Sequence, residues 1–88
     1  MIRSAPDTSW IVQADGVVLV NSRRRTAVVV RYPEAAVWDL LTRHPVAEVT
    51  RKVACIASLE REEAERVVRS AIDQWVAQGF LREEAGGG

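Results

Sequence analysis

Apolar residues in the first third of the chain occur in three runs separated by polar turns. Residues 10–12, 17–20 and 26–30 are rich in β-branched and aromatic side chains, which favour strands. Asp15 and Gly16 form an Asp-Gly pair, typical of a tight primed hairpin turn between the first two runs. The pattern therefore predicts a three-stranded antiparallel meander.

Beyond the third run, the apolar spacing changes to the three- and four-residue repeat of helices. Pro33 suits the first position of a helix, and this helix ends before Pro45, which disfavours helical geometry in the residue preceding it. A second helix carries an apolar stripe over residues 46–56. Ser58 is the expected cap of a third helix, which ends where Gly79 supplies a left-handed residue. The predicted fold class is α+β in the order βββααα.

Length and composition restrict the classes of function. The 88 residues are 48% hydrophobic and 27% charged, which is the composition of a globular domain. A fold of this size buries about 60% of its unfolded surface, so a large catalytic scaffold is excluded. Twelve basic and twelve acidic residues give no net charge, so the chain lacks the strong field of non-specific nucleic-acid binders.

The ends of the chain differ from its centre. Residues 1–9 are polar and show no period, so we expect a flexible N-terminal segment, and residues 83–88 predict a flexible tail. Residues 10–82 then form one domain. The lone Cys55 cannot form an internal disulfide, and neither a signal sequence nor an apolar run of membrane-spanning length is apparent. We therefore expect a cytoplasmic protein that has no membrane partner.

Two motifs carry a family resemblance: AVWDLL in the first helix and WVAQGFL at the end of the third. With the three preceding strands, residues 10–82 resemble the PqqD-like family of winged-helix-like domains. These domains are also called recognition elements for ribosomally synthesised and post-translationally modified peptides. The resemblance implies a non-catalytic protein that binds the leader of a precursor peptide. It would present that leader to a modifying enzyme, such as a radical SAM protein.

The predicted sheet also suggests how a peptide would bind. A meander leaves its third strand at an edge, and residues 26–30 contain neither the proline nor the charge that usually protects an exposed edge. We therefore expect an extended peptide to pair with this strand and to place alternate side chains against the third helix.

The third helix has an apolar arc of about half its circumference, wider than the roughly 100° stripe that a surface helix needs. The core residues of this helix are predicted to be Ala64, Val68, Ala71 and Trp75. Ile72 and Val76 are left over, and we expect them to face the groove beside the third strand, with Arg69 and Asp73 next to them. Arg69 could pair there with an acidic peptide side chain. The candidate peptide-binding residues are Thr26, Ala27, Val28, Val29, Val30, Arg31, Val68, Arg69, Ile72, Asp73 and Val76.

Only His44 and Cys55 could suggest metal or nucleophilic chemistry, and each residue type occurs once. A metal site takes three or four protein ligands at recognisable spacing, so no metal, cofactor or catalytic residue is predicted. Cys55 is interpreted as a small buried hydrophobe, and His44 as a residue that complements the dipole at a helix end.

Two alternatives stay open. Arg23, Arg24 and Arg25 lie where a winged helix has its wing and could grip DNA phosphates. Glutamates at the start of the third helix would repel the DNA backbone, so no nucleic-acid partner is expected. In the other alternative, the edge strand pairs with a second copy and the protein is a homodimer.

Overall fold

The computed structural model describes residues 2–83 and shows a three-stranded antiparallel sheet followed by three helices, which confirms the predicted α+β fold. A second, two-stranded sheet was not predicted. The elements are β1 (Ile2–Ser4), β2 (Thr8–Gln13), β3 (Gly16–Asn21), β4 (Thr26–Arg31), α1 (Glu34–Leu41), α2 (Val46–Ala57), α3 (Arg61–Ala77) and β5 (Leu81–Glu83).

The main sheet has the order β2-β3-β4, so β4 is an edge strand as the sequence predicts. Gln13 pairs with Gly16 across a two-residue turn. The two central residues of this turn are Ala14 and Asp15, and neither has a positive φ. The predicted primed turn, which requires a positive φ at least at the first central residue, is therefore wrong. Glycine is required at this position for space, because a Cβ on Gly16 would lie 2.2 Å from the Val30 carbonyl oxygen.

The ends of the described chain pair with each other. β1 is antiparallel to β5, with Ile2 opposite Glu83 and Ser4 opposite Leu81. The segment 1–9, for which the sequence shows no period, therefore contains β1 and the start of β2, and Glu83 lies in β5 rather than in a tail. The remaining tail residues, 84–88, lie outside the described residues.

The core lies between the main sheet and the helices. β3 contributes Val17 and Leu19, and Phe80 after α3 is also fully buried. Trp38 of α1 is fully buried at its centre and meets two other indoles edge to face, Trp10 of β2 at 5.4 Å and Trp75 of α3 at 5.3 Å between ring centroids. Such aromatic pairs contribute about 0.5–1.5 kcal/mol beyond their buried area. The three tryptophans thus connect the main sheet to α1 and α3.

The helix boundaries follow proline and glycine closely. α1 follows Pro33, α2 follows Pro45, and Gly79 adopts the left-handed conformation after α3 with a φ of 85°. Ser58 is not the N-cap of α3 as predicted, because it is the left-handed C-cap of α2 and Glu60 precedes α3. Among the described residues, no helix combines the length and the apolar character needed to cross a membrane.

A buried asparagine fastens the β3–β4 turn to the end of α3. The side-chain amide of Asn21 donates to the Gly79 carbonyl at 2.8 Å, and its Oδ1 accepts the backbone N–H of Arg24 at 3.0 Å. The Arg24 guanidinium donates to the Ala77 carbonyl at 3.3 Å. These bonds help to set the spacing between the sheet and α3.

We predict that Asn21→Ala destabilises the protein by about 1–3 kcal/mol, because it leaves the Gly79 carbonyl and the Arg24 N–H without partners. Urea unfolding measures the change. Ser22→Ala is the control, since the exposed Ser22 hydroxyl makes only one long bond of 3.3 Å, and we expect less than about 0.5 kcal/mol there. Equal effects of the two substitutions would contradict a fastening role for Asn21.

Candidate functional site

An open groove of about 690 Å³ separates β4 from α3. One wall consists of Val28, Val29, Val30 and Arg31 of β4, with Glu34 at the start of α1. The other wall is one face of α3, formed by Glu63, Arg66, Val67, Ser70, Ala71, Gln74 and Trp75. The groove therefore has a backbone edge on one side and a helix face on the other.

The register of the sheet shows which backbone groups of β4 face this groove. Gly16 closes a two-residue turn with Gln13, so its N–H and C=O point towards β2, and successive residues alternate in direction. The Tyr32 N–H donates to the Asp15 carbonyl at 3.4 Å, in agreement with this alternation. Even-numbered residues of β4 thus bond to β3. Ala27, Val29 and Arg31 direct their N–H and C=O groups to the free edge.

The side chains of β4 alternate between the two faces of the sheet. Val28 and Val30 lie opposite Leu19 and Val17 and so share the helix-facing side of the sheet with these core residues. Val29 lies on the opposite face and is 62% exposed. A strand added to β4 would therefore place every second side chain against α3.

The wall on α3 is built from residues three and four positions apart, which places them on one face of the helix. Its centre is uncharged: Ser70 and the half-buried Ala71 are small and leave room between the walls. Val67 is 39% exposed, and the largely buried Trp75 reaches the groove from the core. The middle of the groove can therefore accept apolar side chains of moderate size.

Charged residues concentrate at the end of the groove where β4 leads into α1. Arg31, Glu34, Glu63 and Arg66 line this end, and none of them forms an ion pair with another described residue. Elsewhere on α3, Arg61 pairs with Glu65 at 3.2 Å. An exposed pair contributes at most about 1 kcal/mol, so these four charges can adjust the choice of ligand but not provide most of its affinity.

The candidate residues of β4 fall into two groups. Val28, Val29, Val30 and Arg31 line the groove, as the strand-edge argument expects. Thr26 and Ala27 belong to β4 but are not among the lining residues, because they lie beside the β3–β4 turn. Whether any of the six contacts a peptide stays a prediction.

The prediction for α3 chose the wrong flank of the helix. Ile72 is 0% exposed, so it is a core residue and does not face the groove. Val68, at 1% exposed, is in the core as assigned, so its place among the candidate peptide-binding residues is wrong. Arg69, Asp73 and Val76 lie on the flank opposite the groove. The guanidinium of Arg69 pairs there with Asp73 and with Glu83 of β5. Its hydrogen bond to Glu83 raises the pKa of Arg69.

The error has a physical cause. The apolar arc of α3 extends beyond the core on both sides, through Val67 and Ala71 on one flank and Val76 on the other. β5 returns along the Val76 flank, and its pairing with β1 was not predicted. The prediction therefore missed Glu63, Arg66, Val67, Ser70 and Gln74. Their spacing of three and four residues along one face was the signal that could have found them.

Neither residue considered for chemistry is part of the groove. Cys55 is exposed, so its interpretation as a buried hydrophobe is wrong. His44 lies between α1 and α2, with its Nδ1 3.5 Å from a carboxylate oxygen of Glu48. Within residues 2–83, no group of three or more histidine, cysteine, aspartate or glutamate side chains could hold a metal ion.

Comparison with solved structures identifies the fold. A lasso peptide synthetase B1 complexed with the leader peptide is 22% identical with a TM-score of 0.84, covering 93% of this chain and 98% of that one. TbiB1 in complex with the TbiA(beta) leader peptide is 19% identical with a TM-score of 0.88, covering 94% and 98%. No protein-family model matches the chain, and no curated protein matches its sequence. The chain thus has the same fold as these two structures, and its resemblance to the PqqD-like family stays a prediction.

Proposed function

We propose that this protein binds the leader segment of a ribosomal precursor peptide as an added strand on β4 and presents it to a separate modifying enzyme. The observation that carries the proposal is the open groove between the free edge of β4 and a face of α3 whose centre is uncharged. Strand addition at a sheet edge is a recurring mode of peptide recognition. The proposal assigns no catalytic step to this chain.

The size of each contribution indicates how affinity arises. Ala27, Val29 and Arg31 offer free backbone groups, and each new hydrogen bond contributes about 0.5–1.5 kcal/mol net. Ordering a flexible peptide opposes this gain at about 1–2 kcal/mol for each fixed residue. Backbone pairing alone therefore does not hold the peptide. Apolar side chains buried against Val67 and Ala71 supply the difference, at about 25 cal/mol per Å².

The structural neighbours support the same function. The two solved structures compared above were each determined in complex with a leader peptide. A modifying enzyme is inferred as a second partner from the resemblance to the PqqD-like family. A radical SAM protein is one class of such an enzyme. A leader peptide is thus the ligand favoured jointly by the groove and by the neighbours.

DNA binding is less favoured by the site. The guanidinium of Arg24 is engaged with the Ala77 carbonyl rather than extended as part of a wing. Glu62 and Glu63 occupy the first turn of α3, where they would repel phosphates.

The free β4 edge could instead pair with a second copy of the chain. Each binding test therefore includes a measurement of the protein's mass in solution.

We predict that Val29→Pro abolishes peptide binding and leaves the protein folded. Proline removes an N–H that faces the free edge, so the bond to a peptide is lost and the β3–β4 ladder is kept. Peptides selected by the wild-type protein from a phage-displayed random library serve as ligands. Trp75 lines the groove, so tryptophan fluorescence can report the titration.

Two variants control this test. Val29→Thr keeps the N–H and should bind normally. Val28→Pro removes an N–H bonded to β3 and leaves its acceptor unpaired, so it should destabilise the protein by about 1–3 kcal/mol or more. Normal binding by a folded Val29→Pro variant would contradict strand addition on β4. A stable dimer of the wild-type chain that resists the selected peptides would favour the second-copy alternative.

We predict that Ala71→Leu weakens peptide binding at least tenfold, or by about 1.4 kcal/mol, because the larger side chain fills the centre of the groove. Isothermal titration calorimetry measures the affinity. Ala47→Leu is the matched control, since Ala47 lies on α2, outside the groove, and alanine and leucine differ little in helix propensity. An equal affinity for the two folded variants would contradict a peptide path along this face of α3.

A further inference from the structure

The β3–β4 turn contains three consecutive arginines, and only Arg24 has a structural partner. Its guanidinium donates to the Ala77 carbonyl at 3.3 Å and lies beside Gly79, where an added Cβ would be 2.8 Å from the Arg24 Cζ. Arg23 and Arg25 are exposed, and their side chains form no ion pair or hydrogen bond within the described part of the chain. Two guanidinium groups at this end of the sheet are therefore unpaired.

The two unpaired arginines differ in their surroundings. Arg23 lines a depression beside β5, and Asp7 and Glu83 in the same lining supply opposite charges. Arg25 is not part of that lining and directly precedes β4. Arg25 is thus the arginine whose charge the surrounding residues leave least compensated.

Arg25 also occupies a position that favours glycine. Its φ is 54°, in the left-handed region, which glycine adopts without steric cost and a residue with a Cβ rarely adopts. Residues that break a local preference without a structural gain are expected at functional sites. The presence of arginine here therefore indicates a partner outside the described chain.

The turn lies at one end of the free β4 edge. Thr26 and Ala27 are exposed, and Ala27 directs its N–H and C=O to that edge. Two residues of strand span about 7 Å, so a peptide that continues past Ala27 comes within reach of the long side chain of Arg25. At the opposite end of the groove, the two arginines and two glutamates of the lining cancel in charge. Only the turn end therefore offers an uncompensated positive charge to a peptide on β4.

We propose that Arg25 binds a carboxylate of the bound peptide, from an aspartate or glutamate just beyond the segment paired with β4. The inference rests on the proposed function and adds an acidic residue to the features of the peptides that this protein accepts. A guanidinium and a carboxylate form charge-assisted hydrogen bonds that are often bidentate. Because backbone pairing is similar in every register, a charge at one end of β4 also favours one register of the peptide.

The test uses peptides selected from a phage-displayed random library by the wild-type protein, with affinities measured by isothermal titration calorimetry. Arg25→Gly removes the guanidinium and suits the left-handed turn, so it should not lower the melting temperature. Arg25→Glu reverses the charge. Arg51→Glu is the matched control, since it makes the same change of charge at an exposed position of α2 outside the groove. Thermal denaturation verifies that each variant is folded.

We expect the selected peptides to share an aspartate or glutamate at a fixed distance from the β4-paired segment. In 0.1 M salt, Arg25→Gly should lower affinity about two- to fivefold, the effect of one exposed ion pair, and Arg25→Glu about five- to twentyfold. Arg51→Glu should change affinity less than about twofold. In 1 M salt, where the Debye length is about 3 Å, all these differences should fall below about twofold.

A charge exchange identifies the pair directly. A selected peptide whose acidic residue is replaced by lysine should bind Arg25→Glu at least about fivefold more tightly than it binds the wild-type protein. Arg51→Glu should show no such preference.

Selected peptides without a shared acidic residue, or equal losses of affinity in Arg25→Glu and Arg51→Glu, would overturn the inference. Binding of duplex DNA that Arg25→Gly abolishes, with unchanged affinity for the peptides, would also overturn it, because the turn would then contact nucleic acid. Failure of the proposed function is distinguishable, since Val29→Pro would then bind the same peptides normally. Loss of binding by Val29→Pro without the charge exchange at Arg25 overturns only this inference.

Discussion

The function proposed for this protein depends on one constraint: the outer edge of β4 must keep its backbone groups unpaired while lying at a fixed distance from α3. An unpaired strand edge is a general hazard, because it can pair with any extended chain. Here, the edge is confined, since α3 runs beside it and leaves room for an added strand with side chains of limited size. The position of α3 therefore limits which peptides can pair with the edge of β4.

Two sets of contacts maintain that distance. The edge-to-face series of Trp10, Trp38 and Trp75 joins the sheet to α1 and α3 through the core, and Trp75 also reaches the groove. At the other end, Asn21 and Arg24 fasten the β3–β4 turn to the last turn of α3. Since both sets consist of contacts within the protein itself, the groove is formed before a ligand arrives. A preorganised site avoids part of the ordering cost of binding.

Much of the fold could be predicted from the sequence, because the relevant signals are local. Runs of β-branched residues locate β3 and β4, and Pro33, Pro45 and Gly79 mark helix boundaries. The β1–β5 pair could not be found in this way, since it joins residues nearly a full chain length apart and each strand has only three residues. The exposed edge of β4 followed directly from the order of the strands. The groove-facing side of α3 did not, because its apolar arc leaves a surplus on both flanks and only β5 decides which flank is covered.

Backbone amide hydrogen exchange, measured by NMR with and without saturating peptide, tests the central claim most directly. In the free protein, Thr26, Val28 and Val30 should already be protected by β3, while Ala27, Val29 and Arg31 exchange freely. A peptide selected by the wild-type protein should slow exchange at these three odd-numbered positions. Unchanged exchange at all three in a saturated complex would show that the peptide binds elsewhere and would contradict strand addition on β4.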